Sequence, residues 1–265
     1  MERRYRATVE YDGTDFEGFQ IQARGRTVQG ELERAVEHIT QRQVRVLGAG
    51  RTDAGVHAKG QVIAFDVAWR HTTQDLQRAL NAVLPEDIAI SDLGTTHPSF
   101  HPRFDAKCRE YHYTIINQPI RAPMWGRHAH HVAEFLDVEA MREASQSLVG
   151  SHDFAAFGKP TQGESTVRHL MQAEWSVECP KGIAGRLIVF EITANAFLYR
   201  MVRNVVGTLL RVGRGELTAG EFMALLGAKK RAGVGPPVPP TGLCLVRVEY
   251  GNDCREARVP GSRPR

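Results

Sequence analysis

Asp53 lies two residues after Arg51 in the run Gly48-Ala49-Gly50-Arg51-Thr52-Asp53-Ala54-Gly55-Val56-His57-Ala58. Glycine permits tight turns and close backbone approach, so an acid framed this way is presented on a loop and is a candidate nucleophile. Aspartate is equally at home capping a turn, and spacing alone leaves both readings open. Gly48-x-Gly50 after the strand-like Val44-Arg45-Val46-Leu47 also suggests a dinucleotide fingerprint. That motif needs a third glycine where Asp53 stands and a helix immediately after it. The chain instead continues into the β-rich Gln61-Val62-Ile63-Ala64-Phe65-Asp66-Val67, so the loop joins two strands and the nucleotide-cofactor reading fails.

Two further groups could meet this acid. On a strand beginning near Lys107, Arg109, Tyr111 and Tyr113 share one face because side chains alternate. A tyrosine beside the acid could stack on a base or move a proton; it could equally fill a core. Arg203 sits among Met201, Val202, Val205, Val206 and Leu209 on a helix apolar enough to be buried. A guanidinium there either needs a carboxylate partner, for which Asp53 is the candidate with Arg51 as a second cation favouring the ionised acid, or snorkels to the surface.

The elements that must position these groups are set by spacing. Tyr5, Ala7, Val9 and Tyr11 alternate as a half-buried strand, and Thr27 caps a helix carrying Val28, Leu32, Ala35, Val36 and Ile39. Strands at about 44–47 and 61–67 flank the Asp53 loop. A helix with Leu76, Ala79, Leu80, Val83 and Leu84 ends at Pro85, before a strand starting at Ile88. The order repeats with a strand from Cys108 to Ile116, a helix after Asp137, strands near 168–178 and 186–194, a helix from about 198 and a strand from Leu243 to Tyr250. Thr218-x-x-Glu221 marks an extra short helix. The expected fold is α+β: two ferredoxin-like (βαββαβ) halves forming a broad antiparallel sheet with helices on one face and a central cleft. The halves are expected at 1–100, carrying the Asp53 loop, and 101–250, with a disordered basic tail over 251–265. Ala228 to Pro240 reads as irregular, neither strand nor helix, and its basic end Lys229-Lys230-Arg231 as a solvated loop that could also touch phosphate.

Composition narrows the function classes. The chain has 265 residues, 42% of them apolar. It has neither an apolar run long enough to span a bilayer nor a secretory leader after Met1, so a cytoplasmic protein is expected. The four cysteines form no Cys-x-x-Cys pair and are expected as free thiols. His128-Ala129-His130-His131 is metal-like only in composition, with no carboxylate at ligand spacing, so no metal is expected. The net charge of +4 allows a polyanionic partner without requiring one, and 28 of the 34 basic residues are arginine, which suits phosphate and base contacts.

With these residues in place, the chain resembles the bacterial tRNA pseudouridine synthase A family. The resemblance is carried by Tyr11-Asp12-Gly13-Thr14, Thr27-Val28-Gln29, the Asp53 run, Phe100-His101-x-Arg103-Phe104, Arg109-x-Tyr111-x-Tyr113, His152-Asp153-Phe154, Met201 to Gly207 and Gly242-Leu243, in order, over about residues 5–250. It implies a cofactor-independent isomerase that turns uridine into pseudouridine on the 3′ side of the tRNA anticodon stem-loop, acting as a homodimer. By matching position, Asp53 would be the catalytic aspartate, Tyr111 the active-site tyrosine, Arg203 the basic partner of the aspartate, and Arg51 the residue holding the flipped nucleotide. Phe19 stands where the family usually has tryptophan, and the Pro236 to Thr241 segment departs from the family version. A glycosidase would need a second carboxylate that this loop lacks. The remaining rival is a non-catalytic RNA-binding module of paired ferredoxin-like halves, which would have no use for Arg51 and Asp53 in such a loop.

Overall fold

Alternation along the first strand carries directly into the packing. In β1 (Arg3–Tyr11), Tyr5, Ala7, Val9 and Tyr11 are buried, and they join Val28, Leu32 and Val36 of α1 (Val28–Thr40) in one apolar core. Thr27 caps α1 by accepting from the Gly30 N–H, as its position before the apolar stripe requires. The remaining elements of this computed structural model are β2 (Leu47–Gly48), β3 (His57–Val67), α2 (Thr73–Val83), β4 (Ile88–Thr95), β5 (Cys108–Asn117), β6 (His130–Val132), α3 (Val138–Gln146), β7 (Gly150–Asp153), β8 (Val167–Glu178), β9 (Arg186–Ala194), α4 (Met201–Gly213), α5 (Ala219–Ala228) and β10 (Leu243–Glu249). The structure describes residues 2–160, 163–180, 184–251 and 254. The disorder expected of the tail concerns residues that, Gly251 and Cys254 apart, lie outside that description.

The strands form one mixed sheet in the order β4-β1-β3-β10-β5-β9-β8-β7, with β2 on β3 and β6 on β5. The seam is short: β10 and β3 run parallel, Cys244 and Leu245 lying opposite His57 and Ala58. This junction places the start of β3, and with it the loop that precedes it, beside β5 and β10. The helix α4 is buried nearly all round, as its apolar sequence demands, and packs against α3 and α5. Among the described residues no helix is long and apolar enough to cross a membrane.

Three expectations are corrected. The strand foreseen at 44–47 is reduced to Leu47–Gly48, because side chains of α1 take the backbone groups a ladder would have used: Gln29 Nε2 donates to the Val46 carbonyl at 2.9 Å, and the Val46 N–H donates to Glu33 Oε1 at 3.0 Å. The sheet is mixed where an antiparallel one was expected, since β10 runs parallel to β3 and β6 to β5. The irregular segment after α5 has the exposed basic end expected of Lys229, Lys230 and Arg231, and its later part packs along α4, with the Gly235 N–H donating to Thr208 Oγ1 at 3.0 Å and Val238 buried. Gly207 makes that approach possible, since a Cβ there would meet the Pro236 carbonyl oxygen at 2.0 Å. Finally, Cys108 and Cys254 form a disulfide, while Cys179 and Cys244 are free.

Thiol chemistry checks this pairing. Burial pushes the Cys244 thiol up to about 11, so its thiolate is scarce at neutral pH, whereas Cys179 is exposed. In native protein purified without reductant, iodoacetamide is expected to label Cys179 first and Cys244 slowly, with Cys108 and Cys254 labelled only after reduction. Mass spectrometry showing all four labelled in unreduced, denatured protein would remove the disulfide.

Candidate active site

The loop between β2 and β3 is held from both sides. Its start is fixed by the Ala49 N–H donating to the Val62 carbonyl at 2.8 Å, and by Gln61, fully buried, which accepts from the Gly50 N–H at 3.2 Å and donates to the Gly50 carbonyl at 2.8 Å. Nearer the acid, the Thr52 carbonyl accepts from the Phe19 N–H at 3.1 Å, and Thr52 Oγ1 shares a hydrogen bond of 2.8 Å with the Tyr11 hydroxyl. After it, the Val56 N–H donates to the Asp53 carbonyl at 3.1 Å, and Gly55 turns the chain at φ +76. That left-handed conformation suits glycine and accounts for one glycine of the run. The carboxylate is therefore carried on a backbone with little freedom, which catalysis by positioning requires.

The first turn of α4 supplies the partner. Arg203 Nη1 donates to Asp53 Oδ2 at 3.1 Å, with the two side chains only 11% and 22% exposed. Its Nε donates to the Val238 carbonyl at 2.7 Å, so the guanidinium is oriented by the segment packed along α4 before it meets the acid. The ion pair spans 150 residues of sequence and joins the first and last parts of the chain.

Tyr111 stands on β5 beside this pair and is buried, with the Phe197 ring edge-on at 5.1 Å and 86°. Burial pushes its hydroxyl up to about 12, with Arg109 pulling it down and Asp53 pushing it further up. At neutral pH the phenol keeps its proton and serves as a donor and a flat apolar surface. Tyr113, on the same face, is not part of the site; it is fully buried and donates to the Pro239 carbonyl at 2.9 Å.

These groups line one cleft of about 740 Å³, together with the exposed Arg51, and with Arg103, Arg109, Arg168 and Arg200. The four site residues expected from sequence, Asp53, Tyr111, Arg203 and Arg51, thus share a single cavity. Sequence reasoning missed Phe197, whose only signal was its place just after a strand, and the Tyr11–Thr52 and Gln61–Gly50 supports, which join residues far apart in the chain. The cleft lining carries six arginines against two carboxylates, the exposed Glu17 and the partly shielded Asp53, an arrangement suited to a polyanion whose reacting atom is attacked by an oxygen nucleophile.

The histidine expectation also changes in detail. A carboxylate does join His128: Asp12, His57 and His128 present ligand-type atoms within 4.8 Å of one another. The His57 Nδ1 is already engaged, lying 3.0 Å from the Gly13 N–H and 3.1 Å from Asp12 Oδ1, while Asp12 Oδ1 also accepts from Thr14. These atoms make a hydrogen-bonded cluster that ties the turn after β1 to the start of β3.

The chain is similar to known proteins over most of its length. A family model described as tRNA pseudouridine synthase matches residues 7–105 and 144–251. A tRNA pseudouridine synthase A of Roseiflexus castenholzii is 46% identical over 246 residues, covering 92% of this chain and 90% of the relative. One of Chloroflexus aurantiacus is 47% identical over 244 residues, covering 91% and 87%, and one of a Geobacillus species is 42% identical over 254 residues, covering 95% and 100%. The matched residues include Arg51, Asp53 and Arg203; Arg109 and Tyr111 fall in the stretch between the two matched spans.

Proposed function

The chain belongs to the tRNA pseudouridine synthase family, and from that premise we propose that Asp53 is the nucleophile with which it isomerises uridine in tRNA to pseudouridine. The observation that carries the assignment is the ion pair of Asp53 with Arg203 beside Tyr111, on a loop fixed at both ends, in a cleft rich in arginine. The isomerisation breaks the bond from C1′ to N1 of uracil and makes one from C1′ to C5. The proton on C5 is lost and N1 gains one, so the reaction needs no redox partner. Asp53 bonds to the nucleoside, the C1′–N1 bond breaks, the uracil rotates, C5 bonds to C1′, and the bond to Asp53 breaks to return the free carboxylate. Arg203 holds the carboxylate aimed, while the protonated Tyr111 hydroxyl and ring confine the uracil. Arg51, exposed at the edge of the cleft, takes the place vacated by the flipped nucleotide or holds its backbone.

The strand orders β4-β1-β3, with α1 and α2 inserted in chain order, and β10-β5-β9-β8, with α3, α4 and the extra α5 inserted, support two ferredoxin-like halves meeting near residue 100. The substrate region we assign is the 3′ side of the anticodon stem-loop, bound by a homodimer in the cytoplasm. The modest charge of one chain favours a site that sums the arginines of two.

The reaction is read directly by C5 exchange. Wild-type protein given tRNA tritiated at C5 of uridine is expected to release tritium to water in step with pseudouridine formation. Binding of the same tRNA with no release would overturn the enzymatic reading.

A further inference from the structure

Arg109 has no role in the chemistry just described, yet its guanidinium lies where three chain segments meet, around Ala49, Arg103–Ala106 and Asn195. Nη1 donates to the Asn195 carbonyl at 2.8 Å and to the Ala106 carbonyl at 3.4 Å. Nη2 donates to the Arg103 carbonyl at 2.6 Å and to the Ala49 carbonyl at 3.2 Å. All four acceptors are main-chain oxygens.

Three of the four tethers lead within four residues to a group on the cleft wall. Ala49 opens the loop that carries Asp53. Arg103 lines the cleft with its own side chain. Asn195 precedes Phe197, the ring that packs edge-on against Tyr111, and is itself pinned to β8, its N–H donating to the His169 carbonyl at 3.1 Å and its Oδ1 accepting from the His169 N–H at 3.0 Å. One planar fork therefore fixes the nucleophile loop, the link between the halves and the tyrosine wall relative to each other. Only arginine can do this, since its donors point in fixed, divergent directions, whereas a lysine ammonium is a single point on a flexible stem.

The arrangement carries a cost. Carbonyl dipoles solvate the cation without neutralising it, and burial lowers its pKa, with Arg103 nearby acting in the same sense. Tyr111 and Tyr250 are the other titratable groups that face it, and an arginine remains charged among them. Simple packing of strand ends needs no such cation, because an apolar side chain would fill the same space without desolvating a charge.

The geometry points to Arg109 as a positioning residue that sets the Asp53 loop and the Phe197–Tyr111 wall in register for attack on the uridine. This rests on Asp53 being the nucleophile. Arg109 touches no reacting atom; it acts through the Ala49 and Asn195 carbonyls.

Arg109→Ala and Arg109→Lys, assayed in single turnover at saturating tRNA, with tRNA affinity and melting temperature measured alongside, test it. Misplacement of a reacting group by about 1 Å costs about 10²-fold in rate, so both variants are expected to lose about that much while tRNA affinity stays within about threefold. Ethylguanidinium added to Arg109→Ala is expected to recover at least about tenfold of the rate, and ethylammonium none, because only the planar fork reaches all four carbonyls. Equal recovery by both cations, or by neither, overturns the proposal, as does a loss confined to tRNA affinity or a near-wild-type rate in either variant. If Arg109→Ala does not fold, Arg109→Lys, which keeps the charge, decides on rate and affinity alone. Asp53→Asn run in parallel separates the two assignments: turnover there removes the nucleophile, whereas an active Arg109→Ala beside an inactive Asp53→Asn removes only the positioning role.

Discussion

Asp53→Asn is expected to lower single-turnover formation of pseudouridine by at least about 10³-fold, a loss of about 4 kcal/mol of transition-state stabilisation, while tRNA affinity is unchanged or slightly tighter. The substitution is nearly isosteric and removes only charge and nucleophilicity. The loop should keep its shape, since its anchors are Gln61 on Gly50, Tyr11 on Thr52 and backbone bonds from Phe19 and Ala49, none of which uses the Asp53 carboxylate. Arg203 loses its anion yet keeps the bond from Nε to the Val238 carbonyl, so the guanidinium remains placed. In a cleft that binds a polyanion, replacing a carboxylate by a neutral amide removes a repulsive charge, which gives the direction of any affinity change. Quench-flow measurement of product beside filter binding of tRNA reads both quantities. Turnover within tenfold of wild type would take Asp53 out of the chemistry; equal losses in rate and affinity would make it a binding residue.

The parts of this site legible in the sequence are those that local spacing or an elementary penalty dictates. The stripe from Val28 to Val36 and its Thr27 cap specify α1, and the Thr218 and Glu221 pair specifies the capping box of α5. Arg203 could be offered to Asp53 across 150 residues because a guanidinium among apolar neighbours needs an acid or a way to the surface, and the family resemblance favoured the acid. What stayed hidden depends on competition between distant groups. The strand at 44–47 is lost because Gln29 and Glu33 of α1 reach the Val46 backbone first. The segment 233–240 was legible only as irregular; its place along α4 depends on Gly207, which leaves room for the Pro236 carbonyl. The Cys108–Cys254 pairing, the approach of Asp12 to His57 and His128, and the four carbonyls around Arg109 likewise have no local signature.

Arg203→Ala is expected to cost about 10²-fold in the same single-turnover rate, since a charge-assisted hydrogen bond in a shielded site contributes about 1.5–3 kcal/mol. The loss has two sources that a second variant separates. Arg203 both pairs with the acid and ties α4 to the Val238 carbonyl, and Arg203→Lys keeps a charge but not the two-directional reach. If the charge beside Asp53 matters most, lysine restores most of the rate; if orientation does, lysine behaves like alanine. Stability gives an independent check. Removing the guanidinium strands a carboxylate only 22% exposed, so Arg203→Ala should destabilise the wild-type background more than the Asp53→Asn background, by about 1–2 kcal/mol. That coupling comes from urea melts of the four proteins of the cycle and should shrink little in salt, because a shielded pair is poorly screened. Additive effects in the cycle would show that the 3.1 Å contact contributes no net pairing energy, leaving Arg203 as a strut for the Val238 segment.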